Sequence, residues 1–362
     1  MSRSTALHSA HLALGAKMGA FAGYDMPLYY GLGVKKEHLW VRENVGLFDV
    51  SHMGQISLKG KGAQDLLEKL TPSSLGKLGI NRIKYSVLTN ENGGIIDDLM
   101  ITKTAEDEFH LVINAGCKDS DIAWIKQNLT PEIEFTHYDD WALIALQGSG
   151  AQDVVREVLG IDLSDLPYMS LWYKDYTMFI SRLGYTGEDG FEISVPNDGA
   201  QDVWNKLIAH KTVEPIGLAA RDSLRLEMGY CLYGHDIDAN TTPLEADLAW
   251  VMGKHNNDYI GAKNVLKPTK KRVGIKLTGK GVAREGAEIR NDKDEKIGEL
   301  SSGGFSPSLN ISIGQGYIPI EYAVAGTRIF VNVRGRNIEA QVAKMPFMPA
   351  RTKKRNVIPK AS

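Results

Sequence analysis

Leu7, Ala10, His11 and Leu14 fall on one face of a 3.6-residue repeat, so a helix is expected over Ser4–Leu14, with Gly15 ending it. The next segment, Phe21-Ala22-Gly23-Tyr24-Asp25-Met26-Pro27-Leu28-Tyr29-Tyr30, keeps neither the helical nor the strand period. Its aromatics and its proline predict irregular chain that wraps onto a core or lines a cavity. Alternation returns at Gln55–Leu58, a strand, and Gly62–Leu70 has helical spacing. Tyr85–Thr89 and Ile95–Lys103 flank Asn90-Glu91-Asn92-Gly93-Gly94, the chemistry of a hairpin turn. Phe109–Asn114 reads as a further strand and Lys118–Asn128 as a helix.

One unit recurs. Gln55–Gly60 leads into Gly60-Lys61-Gly62-Ala63-Gln64-Asp65 and a helix, and Ala142–Gly148 leads into Gly148-Ser149-Gly150-Ala151-Gln152-Asp153 and a helix. Gly199-Ala200-Gln201-Asp202 opens a third helix at Val203–His210. Two readings stand: a shared helix start, because an acid in the first turn complements the helix dipole, or duplicated strand–helix units on one antiparallel scaffold. Neither Gly-x-Gly piece completes a Walker or dinucleotide fingerprint, so no phosphate loop is expected. After Pro268 the texture changes. Basic Lys270-Lys271-Arg272 precedes short strands at Val273–Leu277, Glu299–Ser302, Arg328–Val333 and Glu339–Val342, separated by Gly, Asn and Pro turns. The chain is therefore read as α+β over residues 1–268, in two interleaved subdomains, with an all-β, barrel-like domain over 269–362.

Composition narrows the function. The 362 residues are 43% hydrophobic and carry a net charge of -2, which gives no bulk attraction to nucleic acid or to an anionic membrane. Cys117 and Cys231 have no CxxC neighbour, so free thiols in a reducing compartment are expected, with neither a disulfide framework nor a zinc site. Met1–Phe21 lacks the apolar core of a signal peptide, and no run approaches the roughly 20 apolar residues of a membrane span. A soluble cytoplasmic protein is expected, or a mitochondrial-matrix one if a presequence was removed.

Three constellations carry chemistry. In Gly93-Gly94-Ile95-Ile96-Asp97-Asp98-Leu99-Met100 two acids are adjacent in an apolar strand, so they project to opposite faces. An inward carboxylate needs donors or a ligand; the alternative is an Asp97 turn cap beside a surface Asp98. In the glycine-rich segment Arg182–Ile193, Glu192 enters a strand on the face opposite Phe191 and Ile193, either as a wet sheet face or as a carboxylate offering two acceptors to a cavity. In Gly217–Glu227, Arg221 and Arg225 are four apart on one helix face, either salt-bridged or serving a carboxylate ligand.

These segments, in this order, resemble the T-protein of the glycine cleavage system. The resemblance extends through Met26–Tyr30, Leu47-Phe48-Asp49-Val50-Ser51-His52-Met53, Gly184-Tyr185-Thr186-Gly187-Glu188-Asp189-Gly190, Leu232–Asp238, Ser302-Gly303-Gly304-Phe305-Ser306-Pro307 and Lys344-Met345-Pro346-Phe347, nearly the whole chain. It implies a multi-domain, cloverleaf-like arrangement of antiparallel sheets and helices with tetrahydrofolate, the co-substrate, in a central cavity. By resemblance Glu192 holds the pterin edge, Tyr85, Tyr168 and Tyr185 surround the folate rings, Met100 and Asn114 line the site, and Arg221 binds substrate. Asp98 is the acid nearest the reacting nitrogens and the candidate catalytic residue. The chain departs from the family at Ala219, where Gly is common, at Leu183, where Thr is common, and at Thr352, where some members carry an aromatic. Arg351 is the candidate replacement for that last contact. The basic tail Arg351, Lys353, Lys354 and Arg355 either attracts acidic groups of folate or carrier or is simply solvated.

The implied activity is aminomethyl transfer. The one-carbon unit would pass from an aminomethyl-dihydrolipoyl arm on the partner H-protein to tetrahydrofolate, with release of ammonia and no call on a metal, flavin or nucleotide. Two rival readings remain: a folate-dependent demethylase acting on a small methylated substrate, and a folate-binding module without catalysis.

Overall fold

The computed structural model describes residues 2–254 and 257–353. Among them, eleven strands join one sheet in the order Val213–Pro215, Val45–Asp49, Trp141–Gln147, Gly190–Pro196, Met178–Arg182, Ser170–Lys174, Arg82–Thr89, Ile95–Ala105, Glu108–Ile113, Gly54–Lys59 and Glu134–His137. The first pair is parallel and the sheet is otherwise antiparallel. Its two halves touch where Ser170 pairs with Arg82. Each half buries its own apolar face. Leu47, Ile144, Phe191 and Ile193 pack with Val203, Trp204 and Leu207 of the helix Asn197–Ile208. Ile56, Leu99 and Leu111 pack with Leu66, Leu67 and Leu70 of the helix Ala63–Leu70 and with Ile125 of the helix Lys118–Gln127.

The recurring unit has a common backbone form. Gly60 and Gly148 adopt φ +131° and +137°, where a Cβ would strike the carbonyl oxygens of Glu132 at 2.0 Å and Asn44 at 1.9 Å. Each turn then starts its helix alike, with Ala63 N–H donating to Gly60 O at 3.1 Å and Ala151 N–H to Gly148 O at 3.0 Å. Only glycine fits both turns, so the similarity reaches beyond an acid in the first turn.

The N-terminus differs from expectation in two ways. The helix is confined to His8–Ala13, because Arg3 runs alongside Tyr24, with its N–H donating to Gly23 O, and Thr5 Oγ1 donates to Asp49. The segment taken as irregular is half of a hairpin, Lys17–Phe21 with Tyr24–Tyr29, closed by Ala22 and Gly23 at positive φ. Pro27 is tolerated because a two-stranded ribbon asks for hydrogen bonds on one side only.

The last strands close a barrel in the order Lys270–Leu277, Ile311–Pro319, Lys296–Ser306, Glu288–Arg290, Arg328–Val333 and Arg336–Ala343. Val273, Ile275, Leu300, Ile318, Val331 and Val342 fill it. Among the described residues no helix is long and apolar enough to cross a membrane.

Candidate active site

The hairpin of the central sheet sets the two acids apart. Tyr85 lies opposite Met100 and Val87 opposite Asp98, so these four side chains share one face. Asp97 points the other way and is wholly buried. Asp97 is thus no turn cap, and Asp98 is half-buried rather than a surface acid. Asn114, just past the strand Glu108–Ile113, straddles them: its Nδ2 donates to Asp97 Oδ1 at 2.9 Å and to Asp98 Oδ1 at 2.7 Å, and its N–H donates to Asp97 Oδ2 at 3.1 Å. Burial, then the charge of Asp97, pushes the Asp98 carboxyl up to about 7, against hydrogen bonds from Tyr85 and Asn114. A carboxyl that titrates near neutrality can accept or deliver a proton at working pH.

Across the site, Glu192 is paired in the sheet with Ala145 and Ser181 and is buried on the face toward the helix Leu218–Glu227. Arg221 projects from that helix, its guanidinium 4.8 Å from the centre of the Tyr185 ring. Burial raises the Glu192 carboxyl and lowers the Arg221 guanidinium, and each offsets part of the other's shift. The two charges nevertheless form no ion pair among the described residues, and Arg221 Nη1 is buried without a partner. A buried carboxylate in no ion pair, and a buried guanidinium nitrogen without an acceptor, are costly until a ligand meets them. Arg225, one turn on, is fully engaged: it donates to Asp236 at 2.6 Å, Ser302 at 2.9 Å, Tyr230 O at 3.2 Å and Asp222 at 2.9 Å.

Aromatic faces complete the site. Tyr185 donates to Cys231 O and stacks on Tyr230, with centroids 5.7 Å apart. Tyr168 hydrogen-bonds Tyr230 and feels the charge of Glu192. Trp250 lies nearly parallel on Tyr85, with centroids 5.4 Å apart, yet is 66% exposed. The structure thus brings Asp98, Tyr85, Met100, Asn114, Tyr168, Tyr185, Glu192 and Arg221 to one region of the molecule.

Arg351 is held by the turn that follows Tyr185. It donates to Glu188 Oε1 at 2.6 Å and to Arg42 O at 3.0 Å, and so pins the turn that also carries Tyr185. Lys353 donates to Ser164 O. Lys354 and Arg355 lie outside the described residues.

Three neighbours escaped the sequence reading. Trp250 sits in a short 3₁₀ turn, Ala249–Val251, which has no period to mark it. His52 is buried with Nδ1 unpartnered, and burial lowers it to about 4, so its ring is neutral near Arg221 and Lys118. Asp121 is buried on the helix Lys118–Gln127 together with Lys118 and Ile125. That i, i+3, i+7 spacing is the signal in the sequence that could have found it.

The pattern of the GCVT N-terminal domain matches residues 7–256, and that of the glycine cleavage T-protein C-terminal barrel domain matches residues 270–348. The chain belongs to the glycine cleavage T-protein family. The aminomethyltransferase of Chloroherpeton thalassium is 40% identical over 95% of this chain and 98% of its own length. The mitochondrial aminomethyltransferase of Flaveria pringlei is 42% identical over 96% of this chain and 90% of its own. The solved structure of glycine cleavage system aminomethyltransferase T from Bartonella henselae superposes with a TM-score of 0.94 at 40% identity, covering 98% of this chain and all of that one. The T-protein fold therefore extends over both the central sheet and the barrel.

Proposed function

We propose that the chain is an aminomethyltransferase of the glycine cleavage system, which passes a methylene carbon from an aminomethyl-dihydrolipoyl arm on the H-protein to tetrahydrofolate. One observation carries the reading: Glu192, buried and in no ion pair, and the half-buried Arg221, whose Nη1 lacks an acceptor, stand among aromatic faces with Asp98 poised near neutrality. The pterin edge offers an amide N–H and an amino group, which suits the two acceptors of Glu192. Tyr85, Tyr168, Tyr185 and Trp250 give flat contact to the rings, and Met100 and Asn114 line the site.

In the reaction the C–N bond of the arm breaks, and the electrophilic carbon forms bonds to the two folate nitrogens while its C–S bond breaks. The two protons lost by those nitrogens go to the departing amino group and to the thiolate, so the products are 5,10-methylenetetrahydrofolate, ammonia and the dihydrolipoyl carrier. Asp98 is the group that takes and returns a proton, and its charge stabilises the cation as it develops. Arg351 supports the turn carrying Tyr185. We read residues 1–268 as the folate-binding region and 269–362 as the barrel domain, in a protein of the cytoplasm or of the mitochondrial matrix. The test is methylenetetrahydrofolate formation from aminomethyl-loaded H-protein, set against free methylated amines. Turnover with the small donors alone identifies a demethylase, and folate binding with no turnover identifies a binding module.

A further inference from the structure

Asp121 is a buried acid that this chemistry leaves unused. It is wholly buried, and neither carboxyl oxygen finds a donor among the described residues. The group it meets is the Asp97 carboxyl, also wholly buried, which already accepts from Asn114 N–H and Nδ2. Two ionised carboxylates only accept, so contact between them requires a proton. We propose that Asp121 stays protonated at working pH and donates to Asp97, which makes it the positioning residue of Asp98. The inference rests on the catalytic role given to Asp98 above.

The chain of contacts runs inward to the site. Asp121 O–H completes the donors on Asp97, Asp97 stays ionised and holds the Asn114 amide, and that amide reaches Asp98 at 2.7 Å. The charge kept on Asp97 is in turn what raises Asp98 toward neutrality, after burial itself. Burial, then the charge of Asp97, pushes Asp121 up to about 11. The neighbouring titratable groups Cys117, Tyr233, Tyr85, Tyr185 and Cys231 are all raised by burial and therefore neutral, and Lys118, one turn before Asp121 on the same helix face, donates to Tyr24 Oη at 2.9 Å. Among the described residues no lysine or arginine forms an ion pair with any of the three acids, so none neutralises Asp97 in place of the proton.

The test needs no substrate at its first step. The infrared spectrum of the full chain at pH 8, where Asp98 is mostly ionised, should show a protonated carboxyl band that disappears in Asp121→Asn. If the two spectra match in that region, Asp121 is ionised and the proposal falls. The second step follows single-turnover transfer from loaded H-protein against pH. Asp121→Asn replaces the O–H donor by an amide N–H and should keep the native acid limb. Asp121→Leu keeps the branched shape but removes the donor, so Asp97 takes up a proton and the limb should move down by about one pH unit or more. A limb that moves as far in Asp121→Asn as in Asp121→Leu overturns the positioning role. Should Asp121→Leu fail to fold, the band decides alone. A native protein that shows the band but transfers nothing contradicts the proposed function and leaves the protonated Asp121 standing.

Discussion

Replacing Asp98 by asparagine keeps the size of the side chain and an oxygen for Asn114 to reach, and removes only the charge and the proton. The structure gives this change two opposite consequences. Folding raises the Asp98 carboxyl from 3.8 to about 7, so the native state binds its proton more tightly than the unfolded chain does. Between those two values the unfolded chain has released the proton while the folded one keeps it, and native stability falls as pH rises. Three pH units at about 1.4 kcal/mol each set a ceiling of roughly 4 kcal/mol. Asp98 is only partly buried, so screening brings the expected figure to about 1–3 kcal/mol. Asp98→Asn should match the native protein near pH 4, gain on it up to pH 7, and hold that gain above. Turnover should move the other way. Native single-turnover transfer rises with pH through about 7 as Asp98 ionises, and the variant should be slower by roughly 10²–10⁴-fold at saturating folate, with no such rise. Thermal unfolding from pH 4 to 9, read beside the transfer rate, checks both. A variant that is less stable than the native protein at pH 8, or that turns over normally, refutes the reasoning.

Glu192→Gln puts a donor where the pterin edge needs an acceptor and should weaken folate binding by roughly 1–3 kcal/mol in calorimetry; an unchanged affinity removes Glu192 from the site. Arg221→Lys loses the planar fork and should raise the folate constant with little change in melting. Arg225→Lys should cost about 1–3 kcal/mol of stability through its lost bonds to Ser302 and Tyr230, and the reverse result would exchange the two assignments. Trp250→Ala should weaken folate binding by about 1 kcal/mol, the scale of an aromatic contact, while melting stays near native because the ring is so exposed; an affinity equal to the native one takes Trp250 out of the site.

Much of this arrangement is legible in the residues. The alternation through Ile95–Met100 sends Asp97 and Asp98 to opposite faces, and the register of the hairpin shows them there. The Gly, Asn and Pro turns after Pro268 give the barrel, although Glu288–Arg290 and Ile311–Pro319 carry too little alternation to stand out. What stays hidden is decided by contacts between distant segments. The N-terminal ribbon forms where Arg3 meets Tyr24, which no local period announces. Arg351 reads as a free cation until Glu188, 163 positions earlier, is brought against it. Trp250 matters only because the chain returns it to the Tyr85 ring.

The seam between sheet and barrel governs how the molecule comes apart. The Asp236 carboxylate receives Arg225 from the sheet side, at 2.6 Å, and Ser301 and Gln315 from the barrel side, at 2.6 and 2.7 Å. Arg272 crosses in the other direction, donating to Ala246 O and Gly229 O. Lifting the barrel away breaks these hydrogen bonds to charged groups, at about 1.5–3 kcal/mol each. Partial opening is therefore disfavoured. A barrel released from the rest would present the unmet groups of Arg272 and Gln315 to water.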